Sequence, residues 1–441
     1  MDLDTLKQIV IDFQSRPFPA LTPRELHLDF IRDMSLCVVG ARRTGKTYRT
    51  YQFMQEHLAR GGTRESICRI QFNDHRLSGL NSAGLSLIDE AYYTLFPEKR
   101  RKEEVLFVFD EIHRVEGWED YVLYLLDEPT QRVLITGSTS RLLAGDIASG
   151  LRGKNFCRVL YPFSFSEFIQ HYGVEPDTIS SSGKSRLRAL LDRYMEQGGY
   201  PGVLDLDSSM HVELLQSYWD TMLLRDVIEA HPDDNINITV LTHFAQALMS
   251  RIGCPMTVRS MITNMHAAGL RFSAETIYRY LHYLEEAFMV FTASIYSPSE
   301  KVRARNYSKV YAVDWALGNA IAPAGGVDVM RRFENLVYLD LRRRGGDVFY
   351  YRTRTDHEID FIHETKTANG ARVEVIQACY RMATPEVETR ELRGIPETAL
   401  HLGLDHATVV TCSEEREIKT DGGVTIHIVP AWKWLLRNNA E

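Results

Sequence analysis

Eight consecutive residues, Gly40-Ala41-Arg42-Arg43-Thr44-Gly45-Lys46-Thr47, restrict the fold of this chain more than any other stretch. They fit GxxxxGK[ST] and lie between an apolar run, Cys37-Val38-Val39, and an amphipathic one, Tyr48–Leu58. A strand that turns through glycines into a helix points successive backbone N–H groups at phosphate oxygens. The start of the helix adds its positive dipole end. Lys46 is placed to reach the β- and γ-phosphates of ATP, and the Thr47 hydroxyl to ligate Mg²⁺. The candidate nucleotide contacts are therefore Gly40, Ala41, Arg42, Arg43, Thr44, Gly45, Lys46, Thr47 and Tyr48. A chance glycine loop is the bland alternative, and the flanking strand and helix count against it.

Downstream, Val105-Leu106-Phe107-Val108-Phe109 is continuously apolar, as a strand buried on both faces should be, and it ends in Asp110-Glu111. Asp110 is the candidate Mg²⁺ carboxylate, and Glu111 the candidate base that polarises an attacking water. A further strand, Val133-Leu134-Ile135-Thr136, runs into Gly137-Ser138. Ligands of open parallel sheets sit beyond the carboxyl ends of the strands. Thr136 or Ser138 would then stand beside the γ-phosphate, unless Ser138 merely closes a turn.

With 441 residues the chain needs more than one hydrophobic core. Its 51 basic and 59 acidic residues give a formal charge of −8, so any nucleic-acid contact must come from a local patch. No apolar run reaches the roughly 20 residues that span a bilayer, and the acidic start Met1-Asp2-Leu3-Asp4 lacks a signal-peptide layout. The reading is cytoplasmic, with no membrane partner. Six cysteines are scattered without a CxxC pair, which indicates neither a disulfide framework nor a zinc site.

Strand-like runs at Ser35–Val39, Ile67–Phe72, Val105–Asp110, Val133–Thr136 and Phe156–Leu160 alternate with amphipathic stretches, the rhythm of a parallel sheet with crossover helices. Loops are expected at Gly61-Gly62 and over 145–153. Helical patterning then dominates from about Phe165 to Ser250, and mixed α/β character returns from about Lys309.

The phosphate loop, Phe109-Asp110-Glu111-Ile112-His113, Gly117-Trp118-Glu119, Leu134-Ile135-Thr136-Gly137-Ser138, Leu151-Arg152-Gly153-Lys154, Tyr161–Phe168 and Gly198-Gly199-Tyr200-Pro201 together resemble a family. It is that of prokaryotic AAA-superfamily P-loop ATPases carrying a C-terminal domain of unknown function. The resemblance covers nearly the whole chain and implies an α/β protein in four parts. These are a P-loop AAA-type core with a parallel sheet over 1–165, a helical lid over 166–240, a winged helix over 241–308, and a C-terminal α/β module resembling the PD-(D/E)xK nuclease fold over 309–441. It further implies a homo-oligomer such as a hexamer, with an arginine donated to the neighbour's nucleotide. Lys154 stands where the family usually has arginine, and arginine's planar fork suits a phosphoryl group better than lysine does. Arg152 is therefore the first candidate for that finger.

Two segments bear on DNA. Met256–Ile262 begins one helix and Ser273–Glu285 forms another, with Gly269 in the turn between, so the pair resembles a helix-turn-helix. Arg279 and His282 are offset by Glu275, Glu285 and Glu286, so this segment could equally pack as part of a lid. In the C-terminal module Glu334 and Asp360 fit the first two metal-binding positions of a PD-(D/E)xK site, but Gln377-Ala378-Cys379 replaces Glu-x-Lys. Glutamine adds no negative charge and cysteine no cation, so Glu334, Asp360 and Gln377 read as a degenerate, non-cleaving nuclease site. Around them Arg331, Arg332, Arg342, Arg343, Arg344, Arg352 and Arg354, preceded by Lys301, Arg303, Arg305 and Lys309, form either a phosphate-binding face or a set of internally paired arginines. The expected activity is ATP hydrolysis by an oligomer acting on branched or structured DNA. A nucleotide-gated switch that recognises a protein or ligand, and an active Mg²⁺-dependent nuclease, are the alternatives.

Overall fold

The structure, a computed structural model, describes residues 2–142, 150–322, 326–368 and 370–437. The chain divides into two compact units, Met1–Tyr161 with Glu286–Phe288, and Pro162–Glu285 with Met289–Glu441. Among the described residues no helix is long and apolar enough to cross a membrane. The loop expected over 145–153 lies, for 145–149, outside the described residues.

The first unit is built on five parallel strands, β1 (Ser35–Val39), β2 (Ile67–Gln71), β3 (Val105–Asp110), β4 (Gln131–Gly137) and β5 (Asn155–Val159), in the order β2-β3-β4-β1-β5. The expected runs match these strands to within two residues at each end. Alternation along β3 explains why a continuous apolar run is needed there. Leu106 and Val108 face one side, where they join Leu36, Val38, Leu134 and the Phe53 and Met54 side chains of α2 (Lys46–Ala59). Phe107 and Phe109 face the other side. There Phe107 packs 5.7 Å from Tyr92 of α3 (Ser82–Leu95), and Phe109 lies 5.9 Å from Tyr121 of α4 (Trp118–Leu126). With helices on both faces, a polar side chain in this sheet is tolerated only at a strand end or when paired. The register aligns Val38 with Thr136 and Gln71 with Asp110, so the carboxyl ends of the three central strands open toward one edge.

The second unit begins with helices. Phe165–His171 starts in a capping box, with Ser164 and Glu167 bonding each other's backbone N–H. Ser181–Gln197 and Ser208–Thr221 follow, the latter continuing into a π-helical turn at Met222–Ile228. Helices Val258–Ala267 and Ala274–Glu286 are then followed by the antiparallel pair β7 (Val290–Ala293) and β8 (Ser308–Ala312), and a short strand β6 (Pro255–Met256) adds to the free edge of β8.

A six-stranded sheet closes the chain in the order β13-β14-β12-β11-β10-β9. Its strands are β9 (Asp347–Arg352), β10 (Glu358–Thr367), β11 (Gly370–Ala378), β12 (His406–Thr411), β13 (Arg416–Lys419) and β14 (Thr425–Pro430). Strands β9, β10 and β11 run antiparallel, while β11, β12 and β14 run parallel. The helix Val329–Arg343 precedes β9, and two helices, Pro385–Leu392 and Ile395–His401, link β11 to β12. The pairing of β10 with β9 shifts register between Ile359 and Ile362, a bulge at the position of Asp360.

Candidate functional site

The loop after β1 is shaped by two glycines. A Cβ on Gly40 would stand 2.2 Å from the Leu160 carbonyl oxygen, and Gly45, at the cap of α2, holds φ +97°. No other residue type fits both positions without strain. The Thr44 hydroxyl donates to the Ala41 carbonyl at 2.9 Å, and Arg24, buried beneath the loop, donates to the Thr44 and Tyr161 carbonyls at 2.7 and 2.6 Å. The Lys46 ammonium donates to the carbonyls of Gly40 and Ala41, both at 2.9 Å.

Across the sheet edge, Asp110 is 1% exposed and accepts hydrogen bonds from three side chains. Thr47 donates to its Oδ2 at 2.9 Å, Arg69 to the same oxygen at 3.1 Å, and Thr136 to Oδ1 at 2.6 Å. The Thr136 hydroxyl in turn accepts the backbone N–H of Glu111 at 3.1 Å. Glu111 itself holds φ +62°, and its carboxylate stands 3.4 Å from the His113 ring. One network thus joins α2, β2, β3 and β4. A hydroxyl and a carboxylate oxygen at hydrogen-bond distance are the pair that an octahedral Mg²⁺ uses beside phosphate oxygens, so Thr47 and Asp110 fit the metal.

Ser138 is buried just beyond β4, while Thr136 bonds Asp110 and Glu111 directly. Arg42 is half-buried, Arg43 is exposed with φ +69°, and Tyr48 is exposed on the first turn of α2. Arg152 is exposed, with φ +52°, in the turn before β5.

The chain has relatives over nearly its whole length. Residues 32–169 match an AAA domain, and 188–328 match a domain of unknown function, DUF8612. Uncharacterized protein MJ1544 of Methanocaldococcus jannaschii is 30% identical over 427 residues, which cover 94% of this chain and 90% of that protein. The chain belongs to this AAA-domain protein family. An uncharacterized protein of Haemophilus influenzae is 27% identical over 413 residues, 93% of this chain and 95% of its own. Among solved structures, the Walker-type ATPase PABY2304 of Pyrococcus abyssi is similar at 11% identity and a TM-score of 0.44, covering 73% of this chain and 95% of that one.

In this AAA-domain protein two arginines that bond the loop and Asp110 lie outside the motifs. Arg24 has no motif around it. Arg69 left a signal, being a lone charge in the buried strand Ile67-Cys68-Arg69-Ile70, where an unpaired arginine would not be tolerated.

The C-terminal unit of the AAA-domain protein brings Glu334, Asp360 and Gln377 together, with an addition. The Asp360 N–H donates to the Gln377 carbonyl oxygen at 3.1 Å, and the Gln377 amide donates to Glu391 at 3.0 Å. Lys309, on β8, sends its ammonium to Glu334 at 2.9 Å, Glu358 at 2.8 Å and Asp360 at 3.0 Å. Burial alone would depress that lysine, but Asp360, Glu334 and Glu358 hold its pKa well above the usual value. Burial pushes the Glu334 carboxyl up to about 7 against the pull of Lys309, and raises Asp360 as well.

Two expectations are corrected here. Lys309 does not belong to a phosphate-facing basic run, because it is 1% exposed and enclosed by carboxylates. Nor does the site lack a cation for want of lysine on β11, because β8 supplies one. Much of the arginine run is also internally bonded. Arg332 donates to the Met195 carbonyl, Arg343 to those of Pro162 and Phe163, and Arg344 to Asp340 and the Trp434 carbonyl, while Arg342 lies over the Phe291 ring. Arg352 pairs with Asp356 at 3.0 Å, and Arg331 and Arg354 are exposed.

Proposed function

We propose that this protein binds Mg-ATP and hydrolyses it. One observation carries the reading: the hydroxyl of Thr47, on the helix after the phosphate loop, is bonded to Asp110, at the tip of a strand 63 residues away. On this reading the backbone N–H groups of residues 40–47 cradle the phosphates, and Lys46 exchanges the Gly40 and Ala41 carbonyls for phosphate oxygens. Thr47 and Asp110 hold Mg²⁺, which when bound neutralises developing phosphate charge. Glu111 accepts the proton of the attacking water, Ser138 hydrogen-bonds the γ-phosphate, and Tyr48 contacts the nucleotide from its exposed position. Arg152 reaches the nucleotide of a neighbouring copy, which makes the working form a homo-oligomer. Lys46→Ala should abolish nucleotide binding or turnover. Glu111→Gln should retain ATP without turning it over, and rapid hydrolysis by that variant would reject the assignment of the base.

The finer reading is that the ATPase acts on branched or structured DNA, with residues 241–308 as a winged helix and 309–441 as a nuclease-like module that docks without cutting. Two helices followed by an antiparallel strand pair support the first part. A helix, three antiparallel strands, two helices and a parallel strand, with Glu334 and Asp360 side by side, support the second. A second reading, a nucleotide-gated switch that recognises a protein or ligand, is favoured by the arginines that fold back onto the protein's own carbonyls and leave fewer charges for a phosphate backbone. Turnover measured with and without branched DNA separates the two, since a switch of that kind is not stimulated by DNA.

A further inference from the structure

The acidic cluster of the C-terminal unit contains its own counter-charge. We propose that the Lys309 ammonium is the resident cation of the site formed by Glu334, Glu358 and Asp360, in the place that a divalent ion takes in a metal-dependent phosphodiesterase. This inference rests on the nuclease-like reading of the module.

Geometry supports the substitution. An ammonium has three N–H donors, and here three carboxylates from two elements converge on one nitrogen at 2.8 to 3.0 Å. The lysine comes from β8, outside the six-stranded sheet. The Val329–Arg343 helix is held against that strand by Asn335, which accepts the Ala312 N–H at 2.7 Å and donates to the Ala312 carbonyl at 3.0 Å. The acids are further engaged around the ammonium. Tyr311 donates to Glu334 at 2.8 Å, Tyr307 to Glu358 at 2.7 Å, and the Ala378 N–H to Asp360 at 3.2 Å. Gln377, which would complete a metal's ligand set, gives its carbonyl to the Asp360 N–H instead. A divalent ion entering this cluster would meet a fixed positive charge at its centre, and like charges that close in a desolvated site repel strongly. Lys309 therefore satisfies the acids and excludes the metal at the same time.

The test uses full-length protein and Mn²⁺ as the probe, with uptake read by electron paramagnetic resonance and Tm by thermal unfolding. Wild type and Asp360→Asn should take up Mn²⁺ equally, because only the nucleotide site is open to it. Lys309→Met keeps the side chain's bulk without its charge. It should lower Tm by on the order of 10 °C, since it strands buried carboxylates, and should gain one Mn²⁺ that restores part of the loss. Lys309→Met combined with Asp360→Asn should gain none. Mn²⁺ bound by wild type and lost in Asp360→Asn would overturn the proposal, as would a Lys309→Met protein of unchanged Tm that takes up no extra ion. Should Lys309→Met fail to fold, the comparison of wild type with Asp360→Asn still decides, equal uptake sustaining the proposal. DNA nicking by the same wild-type sample separates the two readings. Nicking without a Mn²⁺ difference rejects the non-cleaving assignment alone, and a Mn²⁺ difference without nicking rejects the tethered cation alone.

Discussion

Arg69, outside the sequence motifs, and Thr136, within one, show how the surroundings of Asp110 are tied together. Both bind Asp110, and Arg69 also lies 4.7 Å from the Tyr51 ring centre. Truncating Arg69 to alanine leaves a buried carboxylate with two hydroxyl donors and no counter-charge. Chemical denaturation of Arg69→Ala should show a loss of about 3 kcal/mol, with a weakened Mg²⁺ dependence of turnover, while Arg69→Lys should recover part of both. Glu334 gives a pH test of the second cluster. Its carboxyl is raised from 4.5 to about 7, so between those values the folded protein holds a proton that the unfolded chain has released. The stabilisation is fully present below the lower value and is lost as pH rises through the upper one. Wild type should therefore lose stability relative to Glu334→Gln across that window, and a constant difference would show that Glu334 titrates normally. Arg69 was legible only as a lone charge in a buried strand, and Lys309 only as the end of a basic run. Lys309 lies 25 residues from Glu334 and 51 from Asp360, and the basic residues that precede it, Lys301, Arg303 and Arg305, suggest a surface.

Among the elements, the buried strands were the easiest to read, because a parallel strand covered on both faces must be apolar throughout, and β3 has no polar residue until Asp110. Harder to read were contacts whose partner lies far along the chain. Gly198-Gly199 carries the family resemblance, yet its physical role appears only beside Asp314. That buried carboxylate accepts the Gly199 N–H at 2.7 Å and caps the helix Trp315–Ile321 through Ala316 and Leu317 at 2.9 and 3.0 Å. A Cβ on Gly198 would fall 2.3 Å from the same carboxylate. Asp314→Ala removes a cap and strands a buried amide, so a stability loss of about 2–4 kcal/mol is expected in denaturant titration. The glycines are thus explained by packing of the helical segment rather than by nucleotide chemistry.

For the whole molecule, the loop 40–47 and Asp110 were legible from their motifs, whereas the roles of Arg24, Arg69 and Lys309 were not, because a motif read along one segment of chain cannot reveal a side chain delivered by another element. The proposed work on DNA is tested at this scale. If exposed basic residues bind the backbone, affinity should fall steeply with salt, and Arg354→Ala should flatten that slope slightly without altering basal turnover. Binding that ignores salt would favour the switch reading. Mass measurement with and without ATP should reveal an assembly that depends on nucleotide if Arg152 serves a neighbouring copy.

The lysine at the centre of the C-terminal acids has a final consequence for how the protein meets its surroundings. A counter-ion attached to the backbone cannot be stripped by a chelator, diluted away or outcompeted by calcium. If the proposed Mg-ATP site operates, free magnesium sets the pace of the first unit while leaving the fold of the second indifferent to it, so one chain responds to ionic conditions at one end and ignores them at the other.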